Sequence, residues 1–210
     1  MAHEHTISTT RIEMFSDAVI AIIVTLLVLD LKVPELARAA TNQDTVRALL
    51  ALAPSFVSFV LSFFIVCIFW VNHHQFFHVL KKADRRLLWF NNILLFWLCF
   101  IPFPTAFLGR YPTNQIAVML FGGVLCCAAI SFSIMSYHAM FVGNLLEEHI
   151  SQKEKRKAQQ RSYWGIFLYG LSILASFVSV YISLAIFLIV PLIYFVPRRL
   201  VYSLDTSFKE

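Results

Sequence analysis

The chain has 210 residues, of which 59% are hydrophobic, 15% aromatic and 14% charged. Soluble domains contain about 25% charged residues, so the composition excludes a soluble domain with a polar coat and a disordered, charge-rich chain. The formal net charge of +5 is more typical of basic loops beside a membrane than of a nucleic-acid-binding surface. We therefore expect an all-α integral membrane protein without a nucleic-acid partner.

Six stretches are predicted to cross the lipid bilayer, since a transmembrane helix needs about 20 mostly apolar residues. The polar N-terminus lacks a cleavage site, so the first span is expected to be retained. Pro54 should kink the outer end of the second span, and Pro102 and Pro104 should break the third. A tight hairpin at 181–183 should separate the last two spans, which could alternatively form one long helix. The predicted spans of this single six-helix unit, residues 1–210, are 11–33, 46–77, 86–108, 115–146, 163–181 and 183–196.

The distribution of basic residues predicts the orientation of these spans. With the N-terminus inside, 13 of the 17 Lys and Arg residues lie on the inner side, and 4 lie outside. Because basic residues accumulate on the cytoplasmic side of membranes, we expect both termini in the cytoplasm of a multi-pass protein of the cell (plasma or inner) membrane. The four outer residues would be Lys32, Arg38, Arg47 and Arg110, and the inner set ends with Arg198, Arg199 and Lys209.

Motifs for catalysis, metal binding or disulfides are missing from the sequence. No HExxH, GxSxG or P-loop pattern occurs, so the protein is not expected to be an enzyme or to hold a cofactor. His74 and His78 have the i, i+4 spacing of a metal pair, but a third ligand is not evident. The cysteines lie in apolar stretches and are expected to be free thiols: Cys67, Cys99, Cys126 and Cys127.

Polar residues within three predicted spans should occupy one layer near the inner side of the membrane: Asp17, His73, His74, Asn91 and Asn92. A carboxylate in hydrocarbon requires hydrogen-bond donors, which the Arg11 guanidinium and the Trp70 indole could also supply. This layer could lock the helices together or handle protons and ions. The sequence leaves both alternatives open.

The first span also has an apolar stripe at helical spacing, formed by Ala18, Ile22, Leu26 and Leu29 and flanked by Thr25. At about 100° per residue, Asp17 falls on a different face. Apolar stripes ordinarily face lipid or the protein core, so periodicity alone assigns this one no function.

Several motifs resemble those of the transmembrane protein 175 family, the lysosomal potassium channels and their prokaryotic relatives. The first helix of that family is similar to Arg11-x3-Phe15-Ser16-Asp17, with Ala21, Thr25 and the leucine-rich run to Lys32-Val33-Pro34. The second resembles Phe69-Trp70-x2-His73-His74, and the third resembles the run from Asn92 through Pro102-Phe103-Pro104-Thr105 to Gly109-Arg110-Tyr111. The resemblance covers about residues 11–111, and one six-helix unit is typical of the prokaryotic members.

This resemblance implies a potassium-permeable cation channel that prefers K⁺ to Na⁺. It further implies a homotetramer in the bilayer with a pore lined by four copies of the first helix. The pore would have an apolar constriction instead of a TVGYG-type filter, and it would require no cofactor besides the permeant K⁺ ions. The implied pore residues are Ile22, Thr25, Leu26 and Leu29. The implied polar support of the pore helix comprises Arg11, Phe15, Ser16, Asp17 and Trp70 with His73 or His74.

Two further interpretations remain open at the sequence level. Asp30, at the outer end of the first span, could concentrate cations at the mouth of a pore. The main alternative to a channel is a proton-coupled secondary transporter that uses Asp17 and the His73–His74 layer. Transporters commonly have inverted repeats and mid-membrane Gly or Pro breaks, whereas this chain has six Gly and its Pro54, Pro102 and Pro104 lie near outer ends.

Overall fold

The structure, a computed structural model, describes residues 8–195, with side chains described up to residue 191. This range contains eight α-helices and no β-strand beyond one isolated bridge. A 3₁₀ turn, Leu27–Asp30, continues α1, and a π turn, His138–Val142, continues α6. The helices are α1 (Thr9–Leu26), α2 (Asn42–Ala51), α3 (Ala53–His78), α4 (Arg85–Phe100), α5 (Pro102–Arg110), α6 (Gln115–Tyr137), α7 (Gln152–Ala175) and α8 (Val180–Phe195).

Four helical stretches are long and apolar enough to cross a membrane: Thr9–Asp30, Ala53–His78, Arg85–Arg110 and Gln115–Val142. The all-helical membrane class predicted from composition is therefore confirmed. The first half of α7 is charged, and the apolar part of α8 is shorter, Val180–Pro191. The count of six spans and the position of the termini stay predictions.

Prolines divide two of the predicted spans into separate helices. The stretch 46–77 is interrupted at Leu52, after which Pro54 occupies the first turn of α3, a position that needs no backbone donor. The shorter α2 before it begins with a capping box between Thr41 and Asp44. The stretch 86–108 is interrupted at Ile101, and Pro102 starts α5 instead of ending the helical path, which continues to Arg110.

The last two described helices form a hairpin, with its turn at 176–179. The turn lies before the predicted position at 181–183, and the bend is incompatible with one continuous helix. Across it, the Ser183 hydroxyl donates to the Ser172 carbonyl at 2.7 Å. The helix α7 starts earlier than the predicted span because Ser151 and Glu154 form a capping box. Residue 196 and the basic residues Arg198, Arg199 and Lys209 lie outside the described residues.

The helix α1 packs on α3 and α4, while α3 also packs on α5 and α8, and α6 packs on α4 and α7. A buried hydrogen bond of 2.7 Å joins Ser62 of α3 to Thr105 of α5. Nearer the start of α3 and the end of α5, Gly109 lies directly against the backbone of Ser55. These contacts bring the first turn of α3 and the last turn of α5 very close together.

At the opposite end of the bundle, Asp84 ties α4 to α6. Its carboxylate accepts from the Leu87 amide at 2.7 Å and from His138 Nε2 at 2.8 Å. Burial acts to raise the pKa of Asp84, but these two hydrogen bonds, the electrostatic attraction of His138 and a hydrogen bond from the Arg86 amide together outweigh it and hold the pKa below its ordinary value. Nearby, the Lys81 amide donates to the Leu145 carbonyl at 2.9 Å, which joins the loop after α3 to the loop after α6. The last turns of α3 are thereby held in place.

The close approach of α3 and α5 predicts that Gly109→Ala destabilises the protein. A Cβ at this position would lie 2.8 Å from the Ser55 Cα, a backbone atom that cannot move aside. We expect the free energy of unfolding in detergent to fall by about 1–3 kcal/mol, measured as a lower melting temperature. The matched control is Gly123→Ala in α6, where a Cβ meets nothing within 4 Å. Equal melting temperatures for the two variants would contradict the packing described.

Candidate functional site

One face of α1 is held against the rest of the chain, and this face determines how the helix is oriented. Four residues of α1 and the first residue of the 3₁₀ turn are buried at spacings of three and four; α1 packs on α3 and α4, and the turn packs on α3 and α5. Because they recur with the helical period, they form a single stripe along the helix axis. The buried residues are Ile12, Ser16, Ile20, Ile23 and Leu27.

A chain of three buried hydrogen bonds fixes this stripe in register with α3 and α4. His73 Nε2 donates to Asn91 Oδ1 at 2.8 Å, Asn91 Nδ2 donates to the Ser16 hydroxyl at 2.9 Å, and that hydroxyl donates to the Ile12 carbonyl at 2.8 Å. The side chains of His73, Asn91 and Ser16 have no exposed surface. All three bonds point in the same direction, toward the backbone of α1. They make specific polar contacts between three helices in an otherwise apolar interior.

Two further polar contacts join α1 to α3 beside this buried chain. Trp70 Nε1 donates to Asp17 Oδ1 at 2.9 Å, and His74 Nδ1 lies 2.9 Å from Glu13 Oε1. The rings of Trp70 and His74 stack with a centroid separation of 6.0 Å. The hydrogen-bond partner of Asp17 is therefore Trp70, while His73 bonds to Asn91 and His74 bonds to Glu13.

Glu13 is the member of this layer that the sequence interpretation missed. It lies four residues before Asp17, so both carboxylates project from one side of α1. That i, i+4 spacing was the available signal. In the structure its carboxylate is half-buried at 24% exposure and partners His74.

Arg11 and Phe15 lie outside the buried layer. Both are exposed, and the Arg11 guanidinium makes no hydrogen bond or ion pair with the described side chains. They line a groove between α1 and α4 together with Asn92. Asp30, at the end of the 3₁₀ turn, has one carboxylate oxygen that is shielded from solvent and has no partner among the described residues.

The predicted apolar stripe lies on the side of α1 that this chain leaves uncovered. Ile22, Leu26 and Leu29 are 58%, 44% and 66% exposed. Thr25 is also exposed, and its hydroxyl donates to the Ile22 carbonyl at 2.8 Å. At 100° per residue, Thr25 lies about 180° from Ser16 around the helix. By the same count Ile22 lies about 120° and Leu26 about 80° from Ser16, so the uncovered stripe is a separate face to one side of the buried one.

The chain is similar to proteins of one family. A family model described as "Endosomal/lysosomal potassium channel TMEM175" matches residues 11–102. A potassium channel of Chamaesiphon minutus is 35% identical over 90% of this chain and 94% of its own length. A potassium channel of Chryseobacterium sp. is 34% identical over 95% of this chain and 97% of its own length.

The human endosomal/lysosomal proton channel TMEM175 is 25% identical over 76% of this chain, which spans 31% of the human protein. Among solved structures, a lysosomal potassium-selective channel TMEM175 homolog from Chamaesiphon minutus superposes with a TM-score of 0.78. Its identity is 32%, and the match covers 89% of this chain and 95% of that one. With this identity and coverage, the chain belongs to the TMEM175 family of potassium channels.

Proposed function

We propose that the protein is a K⁺-permeable cation channel that passes K⁺ in preference to Na⁺. It assembles as a homotetramer in which four copies of α1 surround the pore. The observation that carries the proposal is the division of α1 into two faces, one fixed by buried hydrogen bonds and the other apolar and uncovered by its own chain. The names of the bacterial relatives, which are potassium channels, support the same conclusion.

The pore narrows at apolar side chains in this proposal. In the tetramer, four copies each of Ile22, Leu26 and Leu29 form rings whose side chains offer no ligands for an ion. Conduction therefore depends on whether water fills the constriction. An ion passing through must give up part of its hydration shell. Na⁺ holds that shell more tightly than K⁺, which favours K⁺. Without a cage of oxygen ligands, the preference should be modest.

The proposed topology has six spans in a bacterial cell membrane, with both termini in the cytoplasm. The four apolar stretches supply four spans, and the apolar half of α7 with α8 supplies the other two. This arrangement places the charged first half of α7 inside, as the distribution of basic residues requires. Asp30 then lies at the outer end of α1, where its carboxylate would raise the local cation concentration.

The polar layer between α1 and α3 supports the pore helix in this proposal and does not transport protons. The hydrogen bonds from His73 run through Asn91 and Ser16 and end on the carbonyl of Ile12. A backbone carbonyl and an amide do not titrate, so the hydrogen bonds that run from His73 to Ile12 do not form a series of titratable groups that could relay a proton. Asp17 is bound to an indole, which also does not titrate.

A reversal-potential measurement tests the channel function. The purified protein is reconstituted into a planar bilayer with K⁺ on one side and Na⁺ on the other. We expect currents that grow with driving force and reverse at a potential that favours K⁺. A silent bilayer, with uptake into liposomes only under a proton gradient, would indicate the transporter built on Asp17 and the two histidines.

Ile22→Asn should raise single-channel conductance by at least about twofold and weaken K⁺ over Na⁺ discrimination, because an amide would hydrate the constriction. Single-channel recording measures both effects. The matched control is Ile130→Asn, which places the same change on a partly exposed position of α6. The pore assignment fails if the two variants behave alike, or if Ile22→Asn only lowers expression.

Substitutions at Asp17 distinguish support from proton handling. Asp17→Asn keeps an acceptor for Trp70 but cannot titrate, so tetramer yield and reversal potential should match the wild type. Asp17→Ala and Trp70→Phe each remove the hydrogen bond, which should cost about 1 kcal/mol and lower the tetramer fraction in size-exclusion chromatography. Loss of function in Asp17→Asn, with Trp70→Phe unaffected, would show that the carboxyl group itself takes part in transport.

A further inference from the structure

A cavity of about 210 Å³ lies between the inner half of α3, α6 and α7, away from α1. Its walls are mainly aromatic and aliphatic, and they include Phe69, Phe76 and Phe132. An apolar cavity of about 150 Å³ is already large enough to bind benzene. This cavity therefore has room for an apolar group of several carbon atoms, such as part of a hydrocarbon chain.

The cavity is maintained by the way α7 is attached to α6. Gln159 is buried, and its Nε2 donates to the Ser133 hydroxyl at 2.8 Å while its Oε1 accepts from the Ser136 hydroxyl at 3.2 Å. These bonds fix the distance between the two helices. The side of α7 that lines the cavity has small residues, Ala158 and Gly165, so α7 leaves the space unfilled.

Charged residues of the first half of α7 line the same cavity: Glu154, Lys155 and Arg161. The Glu154 carboxylate is already engaged, since it accepts from the Ser151 hydroxyl at 2.7 Å and from the Ser151 amide at 2.8 Å. Lys155 is half-buried and has no ion pair among the described residues. A partly desolvated ammonium is stabilised by an anionic partner. The cavity thus combines an apolar interior with an unmatched positive charge.

We propose that this cavity binds an anionic phospholipid of the inner leaflet. One acyl chain lies against the aromatic wall, and the phosphate of the headgroup interacts with Lys155. Its position in the inner leaflet rests on the topology proposed above, in which the charged half of α7 faces the cytoplasm. Basic residues at that surface attract anionic lipids, and an amphiphile matches both parts of the cavity.

The site would be connected to the pore helix through α3. Phe69 and Phe76 face the cavity, while Trp70 and His73, on the same turns, bond to Asp17 and Asn91. A lipid chain packed against Phe69 therefore also restrains the turns that hold α1. Occupancy of the cavity should stabilise the observed orientation of α1.

Native mass spectrometry of the detergent-purified protein tests this site without any current measurement. The protein is titrated with phosphatidylglycerol and, separately, with phosphatidylcholine of the same acyl chains and with free oleate. We expect preferential retention of phosphatidylglycerol. Lys155→Ala should raise its apparent Kd about fivefold, the worth of one basic residue at an anionic membrane surface, and leave phosphatidylcholine binding unchanged.

The control is Lys153→Ala, which removes the same charge from an exposed position two residues away and should not change retention. Ala158→Phe should fill the cavity and reduce retention of both lipids. If this variant does not fold, the Kd values of Lys155→Ala and Lys153→Ala still test the site. The proposal is overturned by equal Kd values for the two lysine variants, by equal retention of both lipids, or by preferential retention of free oleate. Because lipid retention is the readout, failure here is independent of failure of the channel proposal.

Discussion

The rotation of α1 about its own axis is fixed by one buried hydrogen-bond chain, and the rest of the site depends on it. His73 Nε2 donates to Asn91, Asn91 donates to Ser16, and the last bond returns to the helix itself at the Ile12 carbonyl. Turning α1 by one residue, about 100°, would separate Ser16 from Asn91 and leave a buried amide unpaired, at a cost of about 1–3 kcal/mol. The apolar residues on the uncovered face, Ile22 among them, are therefore presented in one direction only.

The depth of the polar layer could be predicted from the sequence, but its pairings could not. Counting residues from each span's end places Asp17, His73 and Asn91 at one level, because the rise per residue of a helix is constant. Which groups meet depends on how each helix is rotated and where it crosses its neighbours, and both are set by packing across the whole bundle. Trp70 rather than a histidine therefore bonds to Asp17, and His74 finds Glu13, a residue that depth alone did not distinguish.

Helix boundaries also depend partly on local sequence signals, which can be predicted, and partly on packing, which cannot. The prolines correctly marked positions where the helical path is interrupted, yet Pro102 begins a helix where it was expected to end one, because a proline is also favourable in a first turn. The early start of α7 follows from a capping box that its sequence contains, Ser151 with Glu154. By contrast, the apolar stripe on α1 has no distinguishing local signal. Its proposed role came from the family resemblance and stays a proposal; the structure adds that this face of α1 is not covered by its own chain.

Thr25 is the polar member of the proposed pore face, and its hydrogen bond limits what it can do there. Its hydroxyl hydrogen is committed to the Ile22 carbonyl, so the lone pairs of the oxygen are the part left available on the uncovered face. In the proposed tetramer, four such oxygens would form an acceptor ring next to the apolar ring of Ile22. An ion could then regain at Thr25 part of the solvation that it loses at Ile22. In that proposed tetramer, alternation of a dry ring with an acceptor ring would lower the barrier for cations but not for anions, which would favour cations even where K⁺ and Na⁺ are only modestly distinguished.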